Sequence, residues 1–280
     1  MPVLPSAVAD AYARLSEVFP GVTVTELAPG ERAPRGGGWV AAAALAEAGP
    51  GLDAFLAWDD AQVLRDYGTR ARPDVVASFG LHRYAWPACL LFTVPWFLHR
   101  RVPRLPVTHV AYDRASGRMA VRPVSFVCLP GDPASALPGA RLVRDEEALR
   151  AELREAVAEH LAPLLAGFGP RMRRRGRALW GMATDEVVEG LSYVAHLLGE
   201  GPRAVRELEL LFPGTTRPYV GSAAFREPIG AQAEAPSVRD RVSCCMFYTV
   251  RPEDTCATCP RTCAAARIAE PAAAGAAAAA

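Results

Sequence analysis

The chain has 280 residues, 51% apolar and 22% charged, with a formal net charge of +1. That length can bury one large core or two smaller ones, and so small a net charge gives no reason to expect a nucleic-acid partner. Every basic side chain is arginine, which removes the P-loop, whose lysine contacts the β- and γ-phosphates, and pyridoxal-phosphate chemistry, which needs a Schiff-base lysine.

Taken in chain order, Met1 to Glu17 has no positively charged start, apolar core segment or small-residue cleavage site, so a cytoplasmic protein is expected. Residues 6–18 read as a short amphipathic helix. Val40 to Ala48 reads as a second, ended by Gly49-Pro50, and Leu52 to Tyr67 continues the helical character. Gly36-Gly37-Gly38 lacks the G-x-G-x-x-G spacing, so no dinucleotide site is expected there. From Val75 to Pro106 the mixture of aromatics, β-branched residues and prolines predicts buried strands and turns. Its most apolar part, Ala88 to Leu98, is interrupted by Pro95 and is far short of the roughly 20 residues of a membrane span.

Val107 to Tyr112 and Met119 to Phe126 read as two strands of a hairpin turning through Asp113–Gly117. Asp145 to Leu165 carries Leu149, Leu153, Val157, Leu161 and Leu164 at helical spacing, with Pro163 expected to kink or end it. Thr184 or Asp185 is the expected cap of another helix, striped by Val187, Val188, Leu191, Val194 and Leu198 and ended by Gly199 and Gly201. A further helix runs from about Arg203 to Phe212, stopped by Pro213-Gly214.

Five of the seven cysteines lie between Cys244 and Cys263. In a reducing compartment such a group is more naturally a metal site than a disulfide framework. Cys244, Cys245, Cys256 and Cys259 have the spacing C-C-x10-C-x2-C. A C-x2-C turn can place two sulfurs on one metal, and Pro260 stiffens its exit. The adjacent pair needs a local bend, because neighbouring side chains on an extended strand point to opposite faces. Thiolates serve iron and zinc alike. A pair with no intervening residue disfavours a zinc ribbon, and the common ferredoxin spacings do not match either.

This motif, preceded by arginine and serine and followed by Tyr248 and Cys259-Pro260, resembles that of the FhuF-type ferric-siderophore reductases. Arg177-Ala178-Leu179-Trp180-Gly181 is a weaker echo of a tryptophan-containing helix start in the same family. The resemblance implies a [2Fe–2S] cluster on Cys244, Cys245, Cys256 and Cys259. It implies one-electron reduction of a ferric siderophore, most often a hydroxamate chelate, after uptake. It also implies an unidentified cellular electron donor and a peripheral association with the membrane uptake system. Two rival functions stand beside it: an iron–sulfur electron carrier in siderophore metabolism, and a binding protein whose cysteines hold structural zinc.

The expected fold is α+β, helix-rich with one antiparallel sheet. Its parts are a body over 1–235, a cysteine-rich cluster-binding extension over 236–263 linked through Pro228–Pro236, and a disordered alanine-rich tail over 264–280. Cys263 is either a substitute ligand or a bystander, and Cys89 and Cys128 read as core residues. His82, His99, His109, His160 and His196 show no ligand spacing. Arg171, Arg173, Arg174, Arg175 and Arg177 form either a solvated helix end or a docking surface for an electron donor. Arg239, Arg241, Arg251 and Arg261 are placed to offset the charge of four thiolates and raise a cluster's potential. Trp180 and Tyr248 read as core aromatics or as the lining of a chelate pocket.

Overall fold

In the computed structural model, which describes residues 6–223, 225–226, 238–239, 241–254, 256 and 258–261, the first elements are helix α1 (Ala9–Val18) and strand β1 (Thr23–Glu26). Strand β2 (Trp39–Ala41) leads directly into the short helix α2 (Ala42–Ala46), so the expected helix from Val40 begins as a strand. Helix α3 (Pro50–Tyr67) opens on the proline expected to end its predecessor. The missing N–H of proline costs nothing in the first helical turn. The Pro228–Pro236 link, Cys263 and the tail lie outside the described residues.

The largest departure from expectation is α4 (Pro73–His99), a single helix where strands and turns were predicted. A helix buried all round has no polar face, so its pattern loses the 3.6-residue period and cannot be told from buried strands. Its interior Pro95 removes the N–H that would bond Leu91, and the Tyr12 hydroxyl on α1 donates to that freed carbonyl at 2.9 Å. Helix α5 (Glu146–Met172) begins where the Asp145 carboxylate accepts the Ala148 N–H at 2.8 Å. It runs through Pro163 and Pro170 instead of ending near Pro163.

Helix α6 (Gly176–Leu197) starts two turns before the expected cap, so Thr184 and Asp185 sit inside it and are buried. Helix α7 (Gly201–Leu211) follows. Helix α4 is the axis of the body and packs against both α5 and α6. Phe92, Trp96, Leu161, Phe168 and Leu191 belong to one continuous buried cluster. Cys89 and Cys128 are buried as expected.

Strands β1 to β7 form two small mixed sheets. Strands β4 (Val110–Asp113) and β5 (Arg118–Val121) make the expected antiparallel hairpin, with β2 antiparallel to β4 and β1 parallel to β5. At the hairpin turn a side chain on Gly117 would lie 1.9 Å from the Gly21 carbonyl, so only glycine fits. In the second sheet β6 (Ser125–Cys128) pairs antiparallel with β3 (Val102–Arg104) and parallel with β7 (Ala140–Leu142). The fold is α+β and helix-rich as expected; the antiparallel sheet of the hairpin gains a parallel edge strand, and a second mixed sheet stands beside it. Strands β8 (Phe225–Arg226) and β9 (Val238–Arg239) pair antiparallel and precede the cysteines. Among the described residues no helix is long and apolar enough to cross a membrane.

Candidate metal centre

The cysteines occupy turns laid over α6. After Cys244-Cys245 the backbone passes through Met246 at φ +66° and into a 3₁₀ turn over Phe247–Thr249. This is the local bend that an adjacent cysteine pair requires. The Met246 and Phe247 amides point back at the sulfurs of Cys244 and Cys245, at 3.4 and 3.5 Å. The Cys259 amide closes the C-x2-C turn by donating to the Cys256 carbonyl at 2.9 Å, and the Arg241 amide donates to the Thr258 carbonyl at 3.1 Å.

The two halves of the motif meet at Cys245 and Cys256, whose sulfurs are 3.8 Å apart. Two thiolates on one tetrahedral metal at ~2.3 Å each would be about 3.8 Å apart, so the pair fits a shared metal without rearrangement. Among the described residues no three His, Cys, Asp or Glu donors converge on one position. The pair is what the structure brings together, with Cys244 and the buried Cys259 on either side of it in sequence.

The chemistry of the pair also suits a soft cation. A hydrogen bond from the Cys256 thiol, helped by the Phe247 amide and the nearby Arg241 charge against the cost of burial, brings the Cys245 pKa down to about 6. Cys256, which keeps the shared proton, is pushed up in turn, with burial acting in the same direction. Cys245 is thus the readier of the two to ionise, and a bound metal displaces the protons of both.

Buried carboxylates on α6 fix the segment in place. Asp185, fully buried, accepts from the Val242 and Ser243 amides at 2.8 Å each and from the Ser243 hydroxyl at 2.6 Å. Arg239 is ion-paired to the same carboxylate at 2.8 Å. Arg241 lies 3.1 Å from Glu189, 3.7 Å from Glu186 and 3.8 Å from Asp185. Burial opposes its charge, but the three carboxylates overcome that and raise its pKa. Burial likewise disfavours charge on His82, yet Glu186, 2.7 Å from its Nδ1, holds the imidazole pKa above its usual value. Burial raises Glu189, whose carboxylate accepts from the Thr258 hydroxyl at 3.2 Å.

The backbone approach is equally specific. Val242 wedges between two glycines: a methyl on Gly181 would meet it at 3.2 Å and one on Gly221, at φ +87°, at 2.3 Å. Arg174 donates to the Cys244 carbonyl at 2.7 Å.

Several sequence expectations change here. Arg239 is paired with Asp185, whereas Arg241, though met by the three carboxylates of α6, still acts through space on the Cys245 and Cys256 thiols as expected. Arg251 pairs at the surface with Glu253 and Asp254, and Arg261 stacks over the Tyr248 ring at 4.2 Å. Trp180 packs edge-on against Tyr219 at 5.4 Å. The residues that sequence reasoning missed are Asp185, Glu186 and Glu189. Their signal was present as acidic residues among the apolar positions of a helix, where an uncompensated carboxylate is too costly to stand.

Residues 241–261 match the family model of the FhuF 2Fe–2S C-terminal domain, consistent with the FhuF-type family. No curated protein and no solved structure matches the chain. The matched domain is a 2Fe–2S domain, which supports a [2Fe–2S] cluster here.

Proposed function

We propose that the chain reduces the ferric iron of siderophores, of the hydroxamate type on the family resemblance, with Cys244, Cys245, Cys256 and Cys259 holding the cluster. The observation that carries this reading is the 3.8 Å contact of Cys245 and Cys256 inside a segment similar to a 2Fe–2S domain. A bound [2Fe–2S] cluster supplies one electron, the number that takes a ferric chelate to the ferrous state, whose softer and less charged ion hard oxygen donors hold far less tightly. The protein's own part is to orient the thiolates through the Met246 and Phe247 amides and to lock the loop to α6 through Asp185. It also leaves Cys244 and Cys245 only partly buried, where a chelate can approach. No acid–base residue is required for the reaction. The electron donor is a separate cellular reductant, since the sequence has no nucleotide-binding motif.

Full-length protein purified without air should contain about two irons per chain. After chemical reduction and mixing with a ferric hydroxamate and a ferrous trap, its reduced signal should vanish as Fe(II) appears, while NADH alone does nothing. Cys256→Ser should lose the iron and the visible spectrum, whereas Cys89→Ser and Cys128→Ser keep both. If the reduced protein transfers no electrons to any ferric chelate, the iron–sulfur electron carrier becomes the better reading. Colourless protein with stoichiometric zinc would replace both.

A further inference from the structure

We infer that the arginine-lined groove where α6 begins is a binding site for ferric chelates of net negative charge, so that this chain favours siderophores carrying carboxylates over charge-neutral trihydroxamates. The inference rests on the reductase reading and names the substrate class of that same site.

Two adjoining cavities of about 540 and 590 Å³ share Arg177 and Val220 as walls. Both are wide, open hollows, of a size that admits a small chelate. The first is lined by Arg174, Arg175, Ser243 and Cys244, and the second by Arg217. Among the described residues neither wall contains a carboxylate. Arg174 is held by the Cys244 carbonyl. Arg175, Arg177 and Arg217 are exposed, and their guanidinium groups have no ion pair or hydrogen bond among the described residues.

Elsewhere Arg83, Arg101, Arg104 and Arg114 each meet a carboxylate, and the other exposed arginines without an ion pair among the described residues, such as Arg32, Arg35 and Arg206, line neither hollow. Three unpaired guanidiniums around one concavity repel one another until an anion fills it. Helix α6 adds to the field, because its 22 residues begin at Gly176 and no side chain caps its first amides. Arginine suits the task, since its planar fork binds carboxylates in two-point fashion. An anion in this groove also lies against Cys244, beside the proposed cluster.

The net charge of the chelate follows from its donors. Three hydroxamates cancel the charge of a trivalent ion, whereas a citrate-centred dihydroxamate leaves the complex negative. Gallium(III) complexes of both kinds have the charge of the ferric complexes but accept no electron, so binding can be read separately from reduction. Titrating full-length, cluster-loaded protein with each should show the anionic complex binding at least about tenfold more tightly. That preference should shrink as salt is raised. In Arg177→Gln/Arg217→Gln, which alters only exposed side chains, the two complexes should bind with about equal affinity while the cluster spectrum is unchanged.

Equal binding of both complexes to the unaltered protein overturns the inference, and so does a preference that survives the double substitution. A double substitution that leaves chelate binding alone but slows reduction of the cluster by an acidic donor protein also overturns it and makes the groove a donor dock. The reductase reading fails separately, if the reduced cluster gives no electron to either ferric complex.

Discussion

In the body, α4 lies between α5 and α6 with Leu90, Phe92, Trp96 and Phe97 almost wholly buried. Of the described residues after Ala223, only Val250 and Cys259 are buried apolar side chains. The body is held by apolar surface removed from water, a force that needs no fixed partner. The cysteine segment has one small apolar seat, Met246 and Val250 against Val63 and Val75, and beyond it is held by named partners: Asp185, Glu186 and Glu189 on one side, Arg239, Arg241 and two backbone amides on the other. Hydrogen bonds and ion pairs fix geometry more sharply than apolar contact does, which suits a site that must present sulfurs at set distances. Their failure is also sharper, because one lost partner leaves a buried charge uncompensated.

The most severe test of this contrast is Asp185→Ala. It removes the acceptor of two amides and a hydroxyl and the partner of a buried arginine, and breaking such a pair costs about 3–5 kcal/mol. Iron should be released to a chelator far faster than from the unaltered protein, with the helical circular dichroism unchanged. If the helix signal falls together with the iron, the segment and body are one cooperative unit.

Acid tests the body in the opposite way. His160 is buried, with Nδ1 donating to the Leu105 carbonyl at 2.7 Å and Nε2 accepting from Tyr84 at 2.9 Å. Burial lowers its pKa from 6.5 to about 4. Between those values the unfolded chain binds the extra proton, so this contribution is fully present above pH 6.5 and is lost as pH falls toward 4. It amounts to about 3 kcal/mol. Denaturant titrations at pH 7 and pH 4.5 should show the loss, and His160→Gln should remove that share of the slope. The smallest effect sharpens the account of α4: Tyr12→Phe leaves the Leu91 carbonyl unpaired and should lower body stability by about 1–2 kcal/mol, measured in the same titrations.

What was legible in the sequence follows the same division. The cysteine spacing is a local pattern and could be read directly, and so could α5, whose leucines face one side. Helix α4 was misread because burial on all sides erases the periodicity that distinguishes a helix from a strand. Asp185 was misread for a different reason. A carboxylate before an apolar run has the composition of an N-cap, and its true partners, Val242 and Ser243, lie far along the chain. The arginines near the cysteines were seen, but the acids that neutralise them come from another element and no local window contains both.

The three carboxylates of α6 also set an order of events during synthesis. Proteins are made from the amino terminus and domains fold as they emerge, so α6 is complete while Arg239 and Arg241 are still to be added. Until they arrive, Asp185 and Glu186 occupy positions that are closed to water in the finished molecule. Glu186 already has His82 of α4 as a partner, but the Val242 and Ser243 amides and Arg239 that meet Asp185 come later, so this face of α6 stays open. The last part of the chain thus supplies the counter-charges that allow the outer face of α6 to close. A chain cut before Arg239 would keep that face wet, although every residue of the body's apolar core is already present.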